Sequence, residues 1–251
     1  MTKIEVAESA EALSRAAAER FVRSTTAAVR ARCRCSVALS GGSTPRSVYR
    51  VLAYEPYRSQ VRWDKIEFFW GDERHVPEDH AESNYRMAAE TLLSRVPVHP
   101  EHIYRVHAEI ADAARAAQEY EDQIRVSFGG GDTMPRFDLV LLGLGTDGHT
   151  ASLFPGTPAL AERRRLCVEN WVSALNTHRI TMTLPVFNAA REVVFIVSGV
   201  EKAPIVREVL PDRATPGAGA THASPLPAQL IQPNDGDVWW MLDRAAAGER
   251  A

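Results

Sequence analysis

The chain has 251 residues, 45% of them apolar and 24% charged, with a formal net charge of −3. This is an ordinary globular composition, long enough for one large α/β domain or two small ones. The mild negative charge argues against a general nucleic-acid binder, which carries a basic stripe, but leaves room for a basic pocket that takes an anionic small molecule.

The remaining bulk features exclude more. Cys33, Cys35 and Cys167 are an odd set without recurring spacing, so no disulfide framework is expected. No second Cys/His pair follows Cys33-Arg34-Cys35 at ligand spacing, so no metal is expected. Met1 to Glu5 contains no apolar signal core, and no run approaches the ~18 apolar residues of a membrane span. The expectation is a cytoplasmic protein, with neither membrane nor nucleic acid as a partner, present as a monomer or weak homo-oligomer.

In chain order, residues 9 to 31 read as a helix, with Leu13, Ala17, Phe21 and Ala28 near one face. Ser36 to Leu39 is a short apolar run that reads as a buried strand. A second helix follows through about Ala53, with Thr44 expected as N-cap and Pro45 as its first residue. Ile66 to Trp70 is the next strand, residues 71 to 84 a polar loop, and a helix runs on to about Leu93. Residues 108 to 127 form a further helix, broken by Gly129-Gly130-Gly131. Phe137 to Leu142 is nearly all apolar, the pattern of a parallel strand covered on both faces. Strands are also expected over residues 166 to 169, Arg179 to Thr183, Val193 to Val197 and Val238 to Leu242. A helix is expected over about 201 to 210, a loop over 211 to 225, and a frayed tail from Arg244. Alternating strands and helices imply a Rossmann-like, three-layer α/β/α arrangement with a mostly parallel sheet, one domain over residues 1–251. Ligands of such sheets bind beyond the carboxyl ends of the strands.

The chemistry-bearing residues collect at those ends. Ser40-Gly41-Gly42-Ser43-Thr44-Pro45 joins a strand to a helix start. Glycines admit close backbone approach, and the helix terminus and hydroxyls supply donors, so the turn is a phosphate cradle in physical terms. It lacks the lysine of a P-loop, and a tight turn with a capping threonine is the plain structural alternative. Gly71-Asp72-Glu73-Arg74 follows the second strand, with Asn84 ten residues beyond Arg74. Asp72 or Glu73 could simply pair with Arg74 on the surface, where such pairs contribute little. Gly143-Leu144-Gly145-Thr146-Asp147-Gly148-His149 places a carboxylate and an imidazole on a glycine-flanked loop. The imidazole suits a general base near neutral pH, and a carboxylate orients it. No Gly-x-Ser-x-Gly elbow is present. Arg179 starts one strand, and Lys202 stands at a helix start, against the dipole preference; an anionic ligand would offset that misplaced charge. His178 is either an assistant to Arg179 or a surface residue.

Five segments taken together resemble the 6-phosphogluconolactonase family: Ser40 to Pro45, Gly71 to Pro77, Gly143 to Pro155, Arg179-Ile180-Thr181 and Gly199-x-x-Lys202-Ala203. The similarity runs in order over roughly residues 10 to 242. Glucosamine-6-phosphate deaminases belong to the same superfamily, but they carry an acid in an Asn-Glu-Pro stretch where this chain has Ser152-Leu153-Phe154-Pro155. They also have Tyr where this chain has Arg74, and His178 is itself unusual for the family. The resemblance implies hydrolysis of 6-phospho-D-glucono-1,5-lactone without metal or cofactor. In this reading Gly41, Gly42, Ser43, Thr44, Arg179 and Lys202 hold the phosphate. His149 acts as base, Asp147 and Gly148 shape its loop, Arg74 contacts phosphate or oxyanion, and Asp72 and Asn84 support. The competing expectations are a deaminase-like isomerase and a non-catalytic sugar-phosphate sensor. The sensor is disfavoured because no basic recognition helix is visible and no room precedes Ser9 for a DNA-binding segment.

Overall fold

Five runs of Val, Ile, Leu, Phe and Trp are too apolar for any strand with one wet face, and each becomes an interior strand or its neighbour. The computed structural model describes residues 2–210 and 224–248. In chain order these form β1 (Thr2–Ala7), α1 (Ala10–Arg32), β2 (Cys35–Leu39), α2 (Ser43–Leu52), α3 (Tyr57–Gln60), β3 (Ile66–Trp70) and β4 (Asp72–Arg74). There follow α4 (Asn84–Thr91), α5 (Ala113–Ser127), β5 (Leu139–Leu142), β6 (Cys167–Val172), β7 (Thr177–Met182), α6 (Leu184–Ala189), β8 (Glu192–Val197), α7 (Ala203–Val209), β9 (Asp237–Asp243) and α8 (Arg244–Ala247). The loop expected over 211 to 225 lies largely outside the described residues.

The main sheet has the order β1-β9-β8-β5-β2-β3, and every pairing in it is parallel. From β2 the chain first steps outward to β3, then returns past β2 to β5 and continues through β8 to β9. The direction of winding therefore reverses between β2 and β5, and a crevice opens at their carboxyl ends. Helices α1 and α2 pack together and against the sheet, while α5 packs on β6 and β7. The buried apolar side chains form one cluster that reaches from Phe195 and Trp240 to Ile180 and Met182.

One strand is unexpected, and three expectations need correction. Residues 2 to 7 are an edge strand, paired from Thr2↔Val238 to Ala7↔Asp243. Their side chains alternate only between exposed and half-buried, so they leave no apolar run in the sequence. Residues 72 to 74 are a strand within the polar loop, part of a second sheet ordered β4-β7-β6, which is antiparallel throughout. Arg179 is accordingly the third residue of β7 and does not start a strand of the main sheet. Finally, residues 244 to 247 are not a frayed tail. Asp243 caps α8 by accepting from the Ala246 N–H at 2.7 Å, and Ala246 and Ala247 are buried.

Candidate active site

The crevice at the β2/β5 reversal is a cleft of about 230 Å³. Its walls come from the segments after β2, β3, β5 and β8.

The segment after β2 is held by a tyrosine. The Tyr49 hydroxyl donates to the Ser40 carbonyl at 2.9 Å and accepts from the Ser40 N–H at 3.0 Å. Burial drives the Tyr49 phenol above its ordinary pKa, so it stays a neutral clamp. The Tyr120 hydroxyl holds Trp70 at the end of β3 in the same way, at 2.7 and 2.9 Å. The helix then begins earlier than Thr44: Gly42, with φ of +102°, is the N-cap, and no side chain caps the helix. The first helical bond runs from the Arg46 N–H to the Gly42 carbonyl at 3.2 Å. Pro45, third in the helix, has no N–H to satisfy. The amides of Ser43 and Thr44 are first-turn donors without intrahelical partners, and both residues line the cleft. Gly41 is required by Asn84: a Cβ there would fall 1.8 Å from Asn84 Oδ1.

The segment after β3 is built on two buried carboxylates, neither of which pairs with Arg74. Glu73 is 2% exposed. Its Oε1 accepts from the amides of Arg74 and Asn84, and its Oε2 from the Tyr85 amide and the Ser83 hydroxyl. Burial outweighs these bonds and raises the Glu73 pKa. Asp72 accepts from the Ser152 hydroxyl at 2.6 Å, and its carbonyl accepts from Asn84 Nδ2 at 2.9 Å. Asn84 thus joins the β3 segment to the turn at Gly41, and Ser152 joins it to the loop after β5. Arg74 donates to the Glu82 carbonyl at 2.6 Å and reaches the cleft wall.

Arg179 stands directly across the β4–β7 ladder from Arg74, which places both side chains on one face. It is not itself among the residues lining the cleft, and its Nε is buried without a partner. His178, next in the strand, points to the other face, where its Nδ1 lies 3.6 Å from Glu169 and its ring 4.8 Å from that of Trp171. It has no place in the cleft.

The loop after β5 carries the titratable pair. Asp147 Oδ1 lies 2.5 Å from His149 Nδ1 and also accepts the His149 N–H at 3.1 Å. The spacing in sequence did not require this contact; the turn closed by the Gly145 N–H on the His149 carbonyl, at 2.8 Å, creates it. Burial raises the Asp147 pKa, but the hydrogen bond and charge of His149 outweigh it and hold the carboxyl below its ordinary value. An ionised Asp147 only accepts, so Nδ1 carries the proton and Nε2 is the basic nitrogen. The ring stacks on Phe154, centroids 4.1 Å apart at 25°. Gly148 turns the loop at φ +79°, and Gly145 leaves room for the imidazole.

After β8, the turn Ser198-Gly199 leads to Lys202, which lines the cleft with Ser43 and Thr44. No carboxylate pairs with Lys202 among the described residues. The cleft therefore joins an unpaired ammonium, first-turn amides and hydroxyls, an arginine, and a carboxylate-oriented imidazole. That set suits an anionic ligand whose reacting group lies a few bonds from its charge. No group of three or more His, Cys, Asp or Glu side chains fit to hold a metal ion occurs among the described residues.

Of the residues marked in the sequence, Gly41, Gly42, Ser43, Thr44, Asp72, Arg74, Asn84, His149 and Lys202 line one cleft. Asp147 and Gly148 lie on its His149 loop, and Arg179 stands opposite Arg74 on β7, outside the cleft lining. The hydrogen bonds by which Glu73 and Ser152 tie the cleft segments together are not legible in the sequence, although Ser152 sits in the same motif as His149.

The chain as a whole is similar to known proteins. The family model described as glucosamine-6-phosphate isomerases/6-phosphogluconolactonase matches residues 8–240. A 6-phosphogluconolactonase of Synechocystis is 41% identical over 222 residues, covering 88% of this chain and 87% of that protein. The human 6-phosphogluconolactonase is 40% identical over 222 residues, covering 86% and 81%. A solved 6-phosphogluconolactonase of Trypanosoma brucei superposes with a TM-score of 0.85 at 31% identity, covering 100% of this chain and 99% of that one. The chain belongs to the glucosamine-6-phosphate isomerase/6-phosphogluconolactonase family.

Proposed function

We propose that the protein hydrolyses 6-phospho-D-glucono-1,5-lactone to 6-phospho-D-gluconate, with His149 as general base. The observation that carries this reading is the meeting, in one cleft, of the Gly41–Thr44 turn, Lys202 and the Asp147-bound imidazole. The phosphate sits on the Ser43 and Thr44 donors and Lys202, with Arg179 adding charge from its place across the ladder from Arg74. Charge-assisted contacts of this kind contribute roughly 1.5–3 kcal/mol each. They fix the lactone ring against the base.

In the first step, His149 Nε2 takes a proton from water as the water oxygen bonds to C1. Asp147 stabilises the imidazolium so formed. The carbonyl oxygen becomes an oxyanion, and Arg74 on the cleft wall is the cation that meets it. In the second step the C1–ring oxygen bond breaks, and the imidazolium returns its proton to that oxygen. The product is an open-chain acid whose carboxyl group ionises and releases one proton per turnover. Ser152 is already committed as a donor to Asp72, and this route needs no covalent intermediate. The three free thiols suit a reducing cytoplasm, and the enzyme acts on its small-molecule substrate as a monomer or weak homo-oligomer.

The test is proton release from freshly made 6-phosphogluconolactone, with the spontaneous rate subtracted. Turnover well above background is expected. Ammonia release from glucosamine 6-phosphate, without lactone hydrolysis, would contradict the proposal.

A further inference from the structure

We propose that Asp243 is a positioning residue for Lys202, and that the carboxyl-terminal helix α8 is thereby part of the apparatus that binds phosphate. The inference rests on the reading of Lys202 as a phosphate anchor.

The turn that carries Lys202 has little apolar anchorage. None of Val200, Glu201 and Lys202 is buried, and Val200 is 73% exposed. Gly199 takes φ of +106°, a conformation that burial does not select. What holds the turn is polar. The Asp243 carboxylate, 4% exposed, accepts the Ser198 hydroxyl and, with both oxygens at 3.2 Å, the Gly199 N–H. The Gly199 carbonyl in turn accepts the Lys202 N–H at 3.0 Å. A two-bond path therefore runs from a buried carboxylate to the backbone of the lysine.

The same carboxylate caps α8, and α8 packs against this turn and against α7. A Cβ on Gly248 would lie 3.7 Å from that of Ala203, the residue after Lys202. Capping a four-residue helix accounts for the bond to Ala246 but not for those to Ser198 and Gly199. Asp243 takes its hydrogen bonds from backbone and hydroxyl donors, and no cation pairs with it among the described residues. Burying a carboxylate in this way is costly. The arrangement fixes a turn that would otherwise let the ammonium wander across the cleft. Asp243 does not line the cleft itself; of the residues on the turn it holds, Ser198 and Lys202 do, and Lys202 is the one that brings charge to a phosphate.

The test compares Asp243→Ala, Lys202→Ala and the double variant on 6-phosphogluconolactone and on unphosphorylated glucono-1,5-lactone. The readout is the ratio of kcat/KM for the two substrates. D243A should lower that ratio about tenfold through KM, the size of one displaced charge-assisted contact. In the K202A background, D243A should change it by less than about twofold, because coupled residues are non-additive. If D243A fails to fold, Asp243→Asn, which keeps the shape and one acceptor, should give a smaller loss in the same direction. Equal losses on both substrates, or full additivity with K202A, would overturn the inference and leave Asp243 a structural cap. If K202A loses the preference and D243A keeps it, Asp243 alone is wrong. A K202A enzyme with the wild-type ratio would remove the phosphate role of Lys202, and this inference with it.

Discussion

Arg74 and Arg179 face each other across the β4–β7 ladder, two like charges opposed on one face of a three-stranded sheet. Burial, and next the charge of Arg74, lower the Arg179 pKa; Asp72, Glu82 and Glu73 offset this only in part. Its Nε is buried with no partner. Such a pair disfavours the empty protein and favours a bound anion.

The pair therefore predicts opposite effects on stability and function. Arg179→Met should raise Tm by about 1–4 °C, as relief of strain at a binding site does. It should also raise KM for the phosphorylated lactone about tenfold. Calorimetry beside steady-state kinetics reads both. A variant that loses stability and keeps its KM would mean that Arg179 is structural.

Gly145 makes a prediction about space. A Cβ there would lie 2.0 Å from His149 Nδ1 and 2.6 Å from Asp147 Oδ1. Gly145→Ala should leave the fold intact, since the clash is with side-chain ends, but displace the imidazole. The expected loss in kcat is at least about tenfold, at the low end of general-base contributions. Unchanged kcat in a crystallographically unshifted loop would contradict the packing described.

Glu73 makes a prediction about stability. Both of its oxygens accept from backbone N–H groups, so an amide in its place must turn its NH₂ toward a donor whichever way it flips. Glu73→Gln should cost about 2–4 kcal/mol in denaturant unfolding. The sign with pH follows from the raised folded pKa. The carboxyl's contribution is full below its unfolded value of ~4.3 and declines as pH rises through the folded value. The gap between wild type and E73Q should therefore narrow from acid toward neutral pH.

Asp147 behaves in the reverse sense. Its pKa is depressed, chiefly by the His149 hydrogen bond, against the effect of burial. Its stabilisation is present above the unfolded value of ~3.9 and is lost as pH falls through the folded one. Asp147→Asn should lower kcat about 100-fold by disturbing the tautomer and leaving the imidazolium unsupported. Its stability difference from wild type should be flat at neutral pH and shrink below about pH 4. A difference that grows as the pH falls below about 4 would show that the Asp147 carboxyl is not held ionised as described.

Much of this site was legible before any fold was known, because its residues stand at the ends of apolar strands. The runs ending at Leu39, Trp70, Leu142 and Val197 mark buried parallel strands, and Ser40, Gly71, Gly143 and Ser198 follow directly. What escaped notice was set by partners distant in sequence. β1 is a strand because β9 offers it an edge, although Lys3 and Glu5 do not favour one. The three residues of β4 are polar and take strand form from β7. Thr44 looks like a cap, yet Gly42 takes that place. Asp243 ends an apolar strand before an Ala-rich segment, and nothing local announces its bonds to Ser198 and Gly199, over forty residues away.

The central claim is that His149 Nε2 activates water against a lactone held by its phosphate. The most direct measurement is single-turnover hydrolysis of 6-phosphogluconolactone by His149→Ala, with 6-phosphogluconate binding measured in parallel. The account predicts a rate lower by about 10²–10⁴-fold, with product affinity within about threefold of wild type, since the phosphate contacts lie elsewhere in the cleft. A variant that turns over near the wild-type rate, or that loses product binding along with activity, would contradict it.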